Sequence, residues 1–399
     1  MPTFVLDDHS RDIWVESFSV DANELGVAPD HAWSVKKTRL KGGRRDGVDL
    51  ILVDNGAFRF SIVPTRGMGI WKGWYEGLRV GWDSPVTDGP INPMFVNLAA
   101  AGGLGWLDGF DELLARCGLE NNGAPYEVKT KHPDGNENNT VFGLHGKIAN
   151  LPASFVAVHV DEHAPHALVV EGHVEETRLF GSGIRMATRI TTVPGSNALT
   201  VRDEFINLKD QPVEMQVLYH WNFGPPFLAE GSRFVAPARV VTPRDARAVE
   251  GLANHTVYGP PEPGYAEQVY FHELLGRSAT DKQTVALLRN AAADKGVALR
   301  FTVDQLPAFT LWKNTGGLRD GYVTGLEPGT NFPNARPFEK ARGRVVTLPP
   351  DARYVAETTL EVLASAEAVL RVEHEIERIQ SQATAKINPR PTEPHAPEG

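Results

Sequence analysis

The stretch Val217-Leu-Tyr-His-Trp-Asn-Phe-Gly224 decides how this chain is read. Three apolar residues lead into His220 and an aromatic–polar–aromatic–Gly run follows, the pattern of a strand that delivers a histidine and then turns. Two distant stretches share the frame: Phe142-Gly-Leu-His-Gly146 and Val323-Thr-Gly-Leu-Glu-Pro-Gly329. In each, a short apolar run presents one ionisable side chain and breaks at Gly or Pro. Two histidines and a carboxylate so far apart in sequence can meet only through a large β-fold.

The flanking sequence agrees with such a fold. Alternating runs at 33–40, 48–53 and 58–63 are separated by Gly42 to Gly47 and by Asn55-Gly56, a strong hairpin signal. Further strand-like runs follow at 154–160, 167–174, 184–193, 198–206, 213–219, 269–273, 284–289, 296–303, 308–313, 343–348 and 353–363. Ser365 to Gln380 is the one convincing helix, with Ser365 as its N-cap and Glu367 in its first turn. Strands without alternating helices predict an all-β chain, a large antiparallel sandwich with one C-terminal helix. The expected organisation is an N-terminal extension over 1–30, one β-domain over 31–365, the helix over 366–383, and a Pro-rich, polar tail over 384–399 that should be disordered. Residues 89–126 read as an irregular, Gly-rich excursion with a helical turn or two over 107–114. Excursions of this kind often form lids or pocket walls, so Trp106, Phe110 and Asn122 are candidates to line a site.

The 399 residues are 41% hydrophobic and carry a net charge of −10, which speaks against a general nucleic-acid binder. The basic run Lys36 to Arg45 is broken by glycines and reads as an exposed hairpin. One cysteine, Cys117, suits a reducing cytosol, and the start of the chain shows no signal-peptide pattern or membrane-length apolar run. The expectation is a cytoplasmic protein without membrane or nucleic-acid partners, with a homodimer left open.

Histidine near its ordinary pKa of about 6.5 can give and take protons at neutral pH, and a carboxylate is a base until its surroundings raise its pKa. His145, His220 and Glu327 around one cleft would suit proton transfer on a hydroxyl or ring oxygen. Two histidines and a carboxylate can also hold a metal, but no H-x-H or H-x-x-x-H pair supports that here, and no metal is expected. Arg66, between Thr65 and Gly67 after a strand, could present a guanidinium to a polar ligand, although a surface arginine at a turn reads the same way.

The three frames Gly143-Leu-His-Gly146, Leu218-Tyr-His-Trp-Asn-Phe-Gly224 and Gly325-Leu-Glu-Pro328 resemble the site motifs of the aldose 1-epimerases, or galactose mutarotases. The segments around Pro64-Thr-Arg-Gly-Met68 and Cys117 to Pro125 resemble a less characterised aldose-1-epimerase-like branch. The resemblance spans about residues 40–365. It implies a β-supersandwich and an isomerase of carbohydrate metabolism that binds a small carbohydrate and uses no cofactor. It implies that Glu327 takes the anomeric hydroxyl proton while His220 protonates the ring oxygen, and that His145 hydrogen-bonds the anomeric end. Arg66, Asn122, Trp221, Asn222, Trp312 and Lys313 are the expected substrate-binding residues. The aspartate that fixes the sugar in mutarotases has no clear counterpart; Asp245 and Asp304 are weak candidates, and Lys313 with Asn314 could replace it. Two alternatives stay open. One is a non-catalytic carbohydrate-binding protein, and the other is a polysaccharide or oligosaccharide lyase, for which Tyr219 and Arg66 are the candidate partners of the base.

Overall fold

The computed structural model describes residues 1–131 and 134–398. Among them the strands form a ten-stranded sheet, a fourteen-stranded sheet and a separate two-stranded hairpin, Tyr126–Lys131 with Glu137–Phe142. The architecture is the expected all-β sandwich, antiparallel apart from a short terminal pairing. Period-two alternation drives it. Leu168–Thr177, Gly183–Thr192 and Ala198–Asn207 bury alternate residues and pair in register, with Glu, Arg and Thr on the other face.

The larger sheet is buried on both faces at its centre, where Gln268–Leu274, Ala308–Thr315, Tyr322–Gly329, Val213–Phe223, Leu114–Leu119 and Gly69–Tyr75 lie side by side. One face, with Tyr219, Trp221, Leu311 and Leu326, joins the main core shared with the ten-stranded sheet. A buried ion pair links the two sheets there: Arg116 holds Asp203 at 3.1 Å, and the Tyr219 hydroxyl donates to the same carboxylate at 2.8 Å. The opposite face, with Ala115, Cys117 and Leu218, is covered by Trp82, Trp106 and Phe110. That second covered face is where the site forms.

Three expectations need correction. Residues 1–30 are not an appendage: Thr3–Asp8 pairs with Phe155–Val160 in one sheet, and Phe18–Asp21 pairs with Ser34–Arg39 in the other. The tail is placed against the body instead of lacking structure. Lys386–Ile387 runs parallel to Val240–Val241, the Asn388 amide donates to Thr242 at 2.8 Å, and Ala396 is buried beside Phe271 and Phe332. Its prolines forbid a helix but leave single strands and side chains free to satisfy an exposed sheet edge. Third, the excursion ends in a central strand, Leu114–Leu119, that the sequence pattern does not announce, and the helical turn expected within 107–114 lies at Gly105–Gly109.

The helix over Ala366–Gln380 forms as read, with the Ser365 hydroxyl accepting from the Ala368 amide. Its buried stripe of Val369, Val372, Ile376 and Ile379 packs on Val285, Leu287 and Ala298, outside the ten-stranded sheet. Among the described residues no helix is long and apolar enough to cross a membrane.

Candidate functional site

His220 and Glu327 stand on neighbouring strands of the larger sheet. Trp221 faces Leu326 and Leu218 faces Gly329, so the register sets His220 opposite Glu327 on one face. Nε2 of His220 lies 3.2 Å from Oε1 of Glu327. That contact is off hydrogen-bond alignment, and Oε1 has no hydrogen-bond partner among the described residues. Room for the carboxylate comes from Gly325: a Cβ there would sit 2.2 Å from Oε1 and 3.2 Å from Cε1 of His220. His220 lies within its strand, Val213–Phe223, not at the strand's end as its frame suggested.

Asn222, two residues on and on the same face, fixes the His220 ring. Its Nδ2 donates to the carbonyls of Glu112 and His220, which leaves Oδ1 as an acceptor 2.6 Å from Nδ1 of His220. Nδ1 therefore carries the proton in neutral His220, and Nε2 offers a lone pair toward Glu327. Burial pushes His220 well below the ordinary imidazole range, with His145 adding to the shift. Burial also pushes Glu327 well above the ordinary carboxylate range, reinforced by the charge of Glu267 and opposed by Arg244. Both shifts favour the uncharged forms, a neutral imidazole beside a protonated carboxyl.

His145 reaches the same place from a turn. Its φ of 58° is left-handed, and Gly146 follows at 66°, where a Cβ would meet the Gly118 carbonyl at 2.2 Å. The His145 amide bonds the Gly123 carbonyl, and its own carbonyl takes the Gly118 amide, so the turn is tied to the end of Leu114–Leu119. Nδ1 donates to the backbone oxygen of Asn122 at 2.8 Å, so Nε2 is again the acceptor. Burial lowers its pKa to about 4. The two imidazoles lie edge to face, 5.4 Å between centroids. Trp106 packs 4.7 Å from His145, Phe110 is 5.1 Å from His220, and Trp312 is 5.3 Å from His220. These rings form an apolar box that makes any charge inside it costly. Glu327 is 2% and His220 4% exposed, so both groups lie under a roof supplied by the excursion.

The expected substrate-binding residues divide. Trp312 is at the rim, its indole N–H on Glu267 at 2.6 Å, with Arg244 on the same carboxylate at 2.9 Å. Asn222 and Asn122 are there but serve the histidines. The Asn122 amide exchanges two hydrogen bonds with the amide of Asn331, 3.1 and 3.2 Å, and its carbonyl holds His145. Arg66 is not available to a ligand. Its Nε bonds Glu112 at 2.6 Å, Nη1 bonds the Ile91 carbonyl and Asn150, and Nη2 bonds the Gly109 carbonyl. Trp221 and Lys313 point to the opposite face because neighbours along a strand alternate. Trp221 is wholly buried in the main core. Lys313 donates to the Val257 carbonyl at 2.7 Å and lies over the Tyr258 ring, with burial lowering its pKa to about 8. Tyr219 is likewise turned away, on Asp203. Asp245 caps the short helix Ala246–Glu250, and Asp304 is exposed in a turn. Missed by sequence reasoning were Glu112, Glu267, Thr310 and Asn331; Glu267 and Asn331 lie in Pro- and Gly-rich surroundings without a strand frame to mark them.

A mutarotase-like β-sandwich with a paired histidine and glutamate is the class that this fold and geometry define. Solved structures share the fold. A candidate aldose 1-epimerase from Klebsiella pneumoniae superposes with a TM-score of 0.90 at 35% identity, covering 97% of this chain and 98% of that one. A galactose mutarotase-like protein from Clostridium acetobutylicum shares the fold with a TM-score of 0.53 at 14% identity, over 83% of this chain and 98% of that one. The Slr1438 protein of Synechocystis sp. PCC 6803 does so with 0.54 at 15%, over 79% and 95%. No curated protein matches the sequence significantly. Residues 45–362 match the family described as a domain of unknown function, DUF4432, and the chain belongs to that family.

Proposed function

We propose that this protein is a cofactor-free isomerase that interconverts the anomers of a sugar or sugar derivative. The observation that carries the reading is the His220–Glu327 pair, 3.2 Å apart and buried beneath an aromatic roof. In its charge-separated form Glu327 removes the proton from the anomeric hydroxyl while His220 gives one to the ring oxygen. The C1–O5 bond opens to the aldehyde, C1–C2 rotates, and closure in reverse forms the other anomer. Asn222 keeps the His220 ring aimed, and His145 accepts a hydrogen bond from the substrate at Nε2. Trp312 offers a ring face to the sugar. A cytoplasmic location is part of the proposal and suits a chain with one cysteine. The lyase reading has lost its supports, because Tyr219 faces the core and Arg66 is saturated by protein partners.

The test is anomer exchange by NMR over a panel of aldoses, ketoses and acidic sugars. Exchange faster than buffer with at least one sugar is the expected result. No acceleration with any sugar, alongside ligand-induced shifts, would replace this reading with a non-catalytic binding protein, and an unsaturated product would restore the lyase.

The shifted pair also sets the pH dependence. Activity needs one proton on the pair. A second proton enters only below the ordinary imidazole range, and the first leaves only above the ordinary carboxylate range. The acid limb of the kcat/KM profile should therefore lie well below pH 6.5, and its basic limb well above pH 4.5. An acid limb centred near 6.5 would mean that His220 titrates as a free imidazole, which contradicts the geometry.

A further inference from the structure

Thr310 faces Glu327 directly across the pairing of Ala308–Thr315 with Tyr322–Gly329, so the two side chains share a face. Its hydroxyl is buried, the residue being 1% exposed, and has no hydrogen-bond partner among the described residues. Unpaired buried hydroxyls also occur at Ser182, Thr284, Thr302 and Thr358, so one such group carries no argument by itself. What sets Thr310 apart is its neighbour. Glu327 Oε1 is unpaired as well, and the register puts both residues on the sheet face that carries His220, with Thr310 between Glu327 on one side and Phe271 on the other. A buried polar atom left unpaired is costly, and two that share one face of a proton-transfer site form a cradle for a polar group brought by a ligand.

We propose that Thr310 is a catalytic residue that binds the anomeric oxygen of the substrate. The inference rests on the isomerase reading above. As Glu327 takes the proton from O1 and His220 delivers one to O5, the C1–O5 electron pair leaves with O5 and O1 becomes a carbonyl oxygen. The Thr310 O–H keeps its proton throughout and donates a hydrogen bond to O1 while negative charge builds there. A donor already in place at a developing oxyanion, in an enclosed site, stabilises the transition state more than the ground state.

The test compares Thr310→Val, which keeps the shape and removes the hydroxyl, with Thr310→Ser, which keeps the hydroxyl. For the sugar that the wild type turns over, the Val variant should lose about 10- to 100-fold in kcat with KM little changed. The Ser variant should stay within about threefold of wild type. Thermal stability of the Val variant should not fall, because an unpaired buried hydroxyl has been removed. Wild-type kcat in the Val variant would overturn the assignment and leave the isomerase reading standing. A loss of activity that accompanies a loss of stability and is not restored by Ser would make Thr310 a packing residue. Absence of exchange in the wild type would overturn both.

Discussion

Glu327→Gln should slow anomer exchange by about 10²–10⁴-fold and leave the fold as stable as the wild type, or more so. The two effects have one cause. Glutamine fills the same space beside Gly325 and can still meet Nε2 of His220, yet it neither takes nor gives a proton. The carboxyl it replaces is 2% exposed, and burial pushes its pKa well above the ordinary range. Between pH 4.5 and that raised value, the folded state holds a proton that the unfolded state has released. Stability is therefore lost as pH rises through the window, and the variant lacks this loss. At pH 7.5 the difference in denaturation free energy, variant minus wild type, should be zero or positive, and it should shrink toward pH 4.5. Exchange spectroscopy and urea titration on the same preparations check both halves. A stable variant with wild-type exchange would remove Glu327 from the chemistry, whereas a destabilised and inactive one would mean that the carboxylate holds the fold.

The legibility of this site in the sequence follows the geometry of its strands. His220 and Glu327 could be read because each lies in an apolar strand broken by glycine, and register then placed them opposite one another. Their neighbours obey the alternation of the same strands. Trp221 and Lys313 follow His220 and Trp312 directly, so each must face the other way, into the sandwich. The strand Leu114–Leu119 went unread because a charged residue, Arg116, sits in its middle. That arginine is buried only by virtue of Asp203, which lies on the other sheet. Gly69–Tyr75 was hidden in a similar way by Gly69 and Gly73, where the sheet requires close approach: a Cβ at 73 would come within 2.9 Å of the Phe58 ring. The amide pair of Asn122 and Asn331 was illegible because it is a contact between two loops far apart in sequence. The sandwich is a property of local patterns, whereas the support behind each histidine is a property of long-range pairs.

Arg66→Met should be the most destabilising single change at the site, at about 3–5 kcal/mol in urea denaturation at neutral pH. Arg66 is 1% exposed and ties three separate segments to its own turn through four acceptors: Glu112, the carbonyls of Ile91 and Gly109, and Asn150. Methionine fills part of the volume, but it leaves the Glu112 carboxylate, also 1% exposed, as a buried charge without its partner. Lysine should rescue little, since a point charge cannot serve four acceptors in the plane of a fork. The consequence for activity runs through the roof. Ile91 and Gly109 bracket the part of the excursion that carries Trp106, and Phe110 follows Gly109 directly; these are the rings packed on His145 and His220. Releasing both ends should let water reach the His220–Glu327 pair, drawing the Glu327 pKa down and the His220 pKa up toward ordinary values. The acid limb of the kcat/KM profile in Arg66→Met should accordingly move up toward pH 6.5, at a temperature where the variant remains folded. A guanidinium that gripped the sugar directly would give the opposite pattern: a raised KM, an unmoved pH profile and wild-type stability. The saturation of all its donors by protein oxygens argues for the clasp.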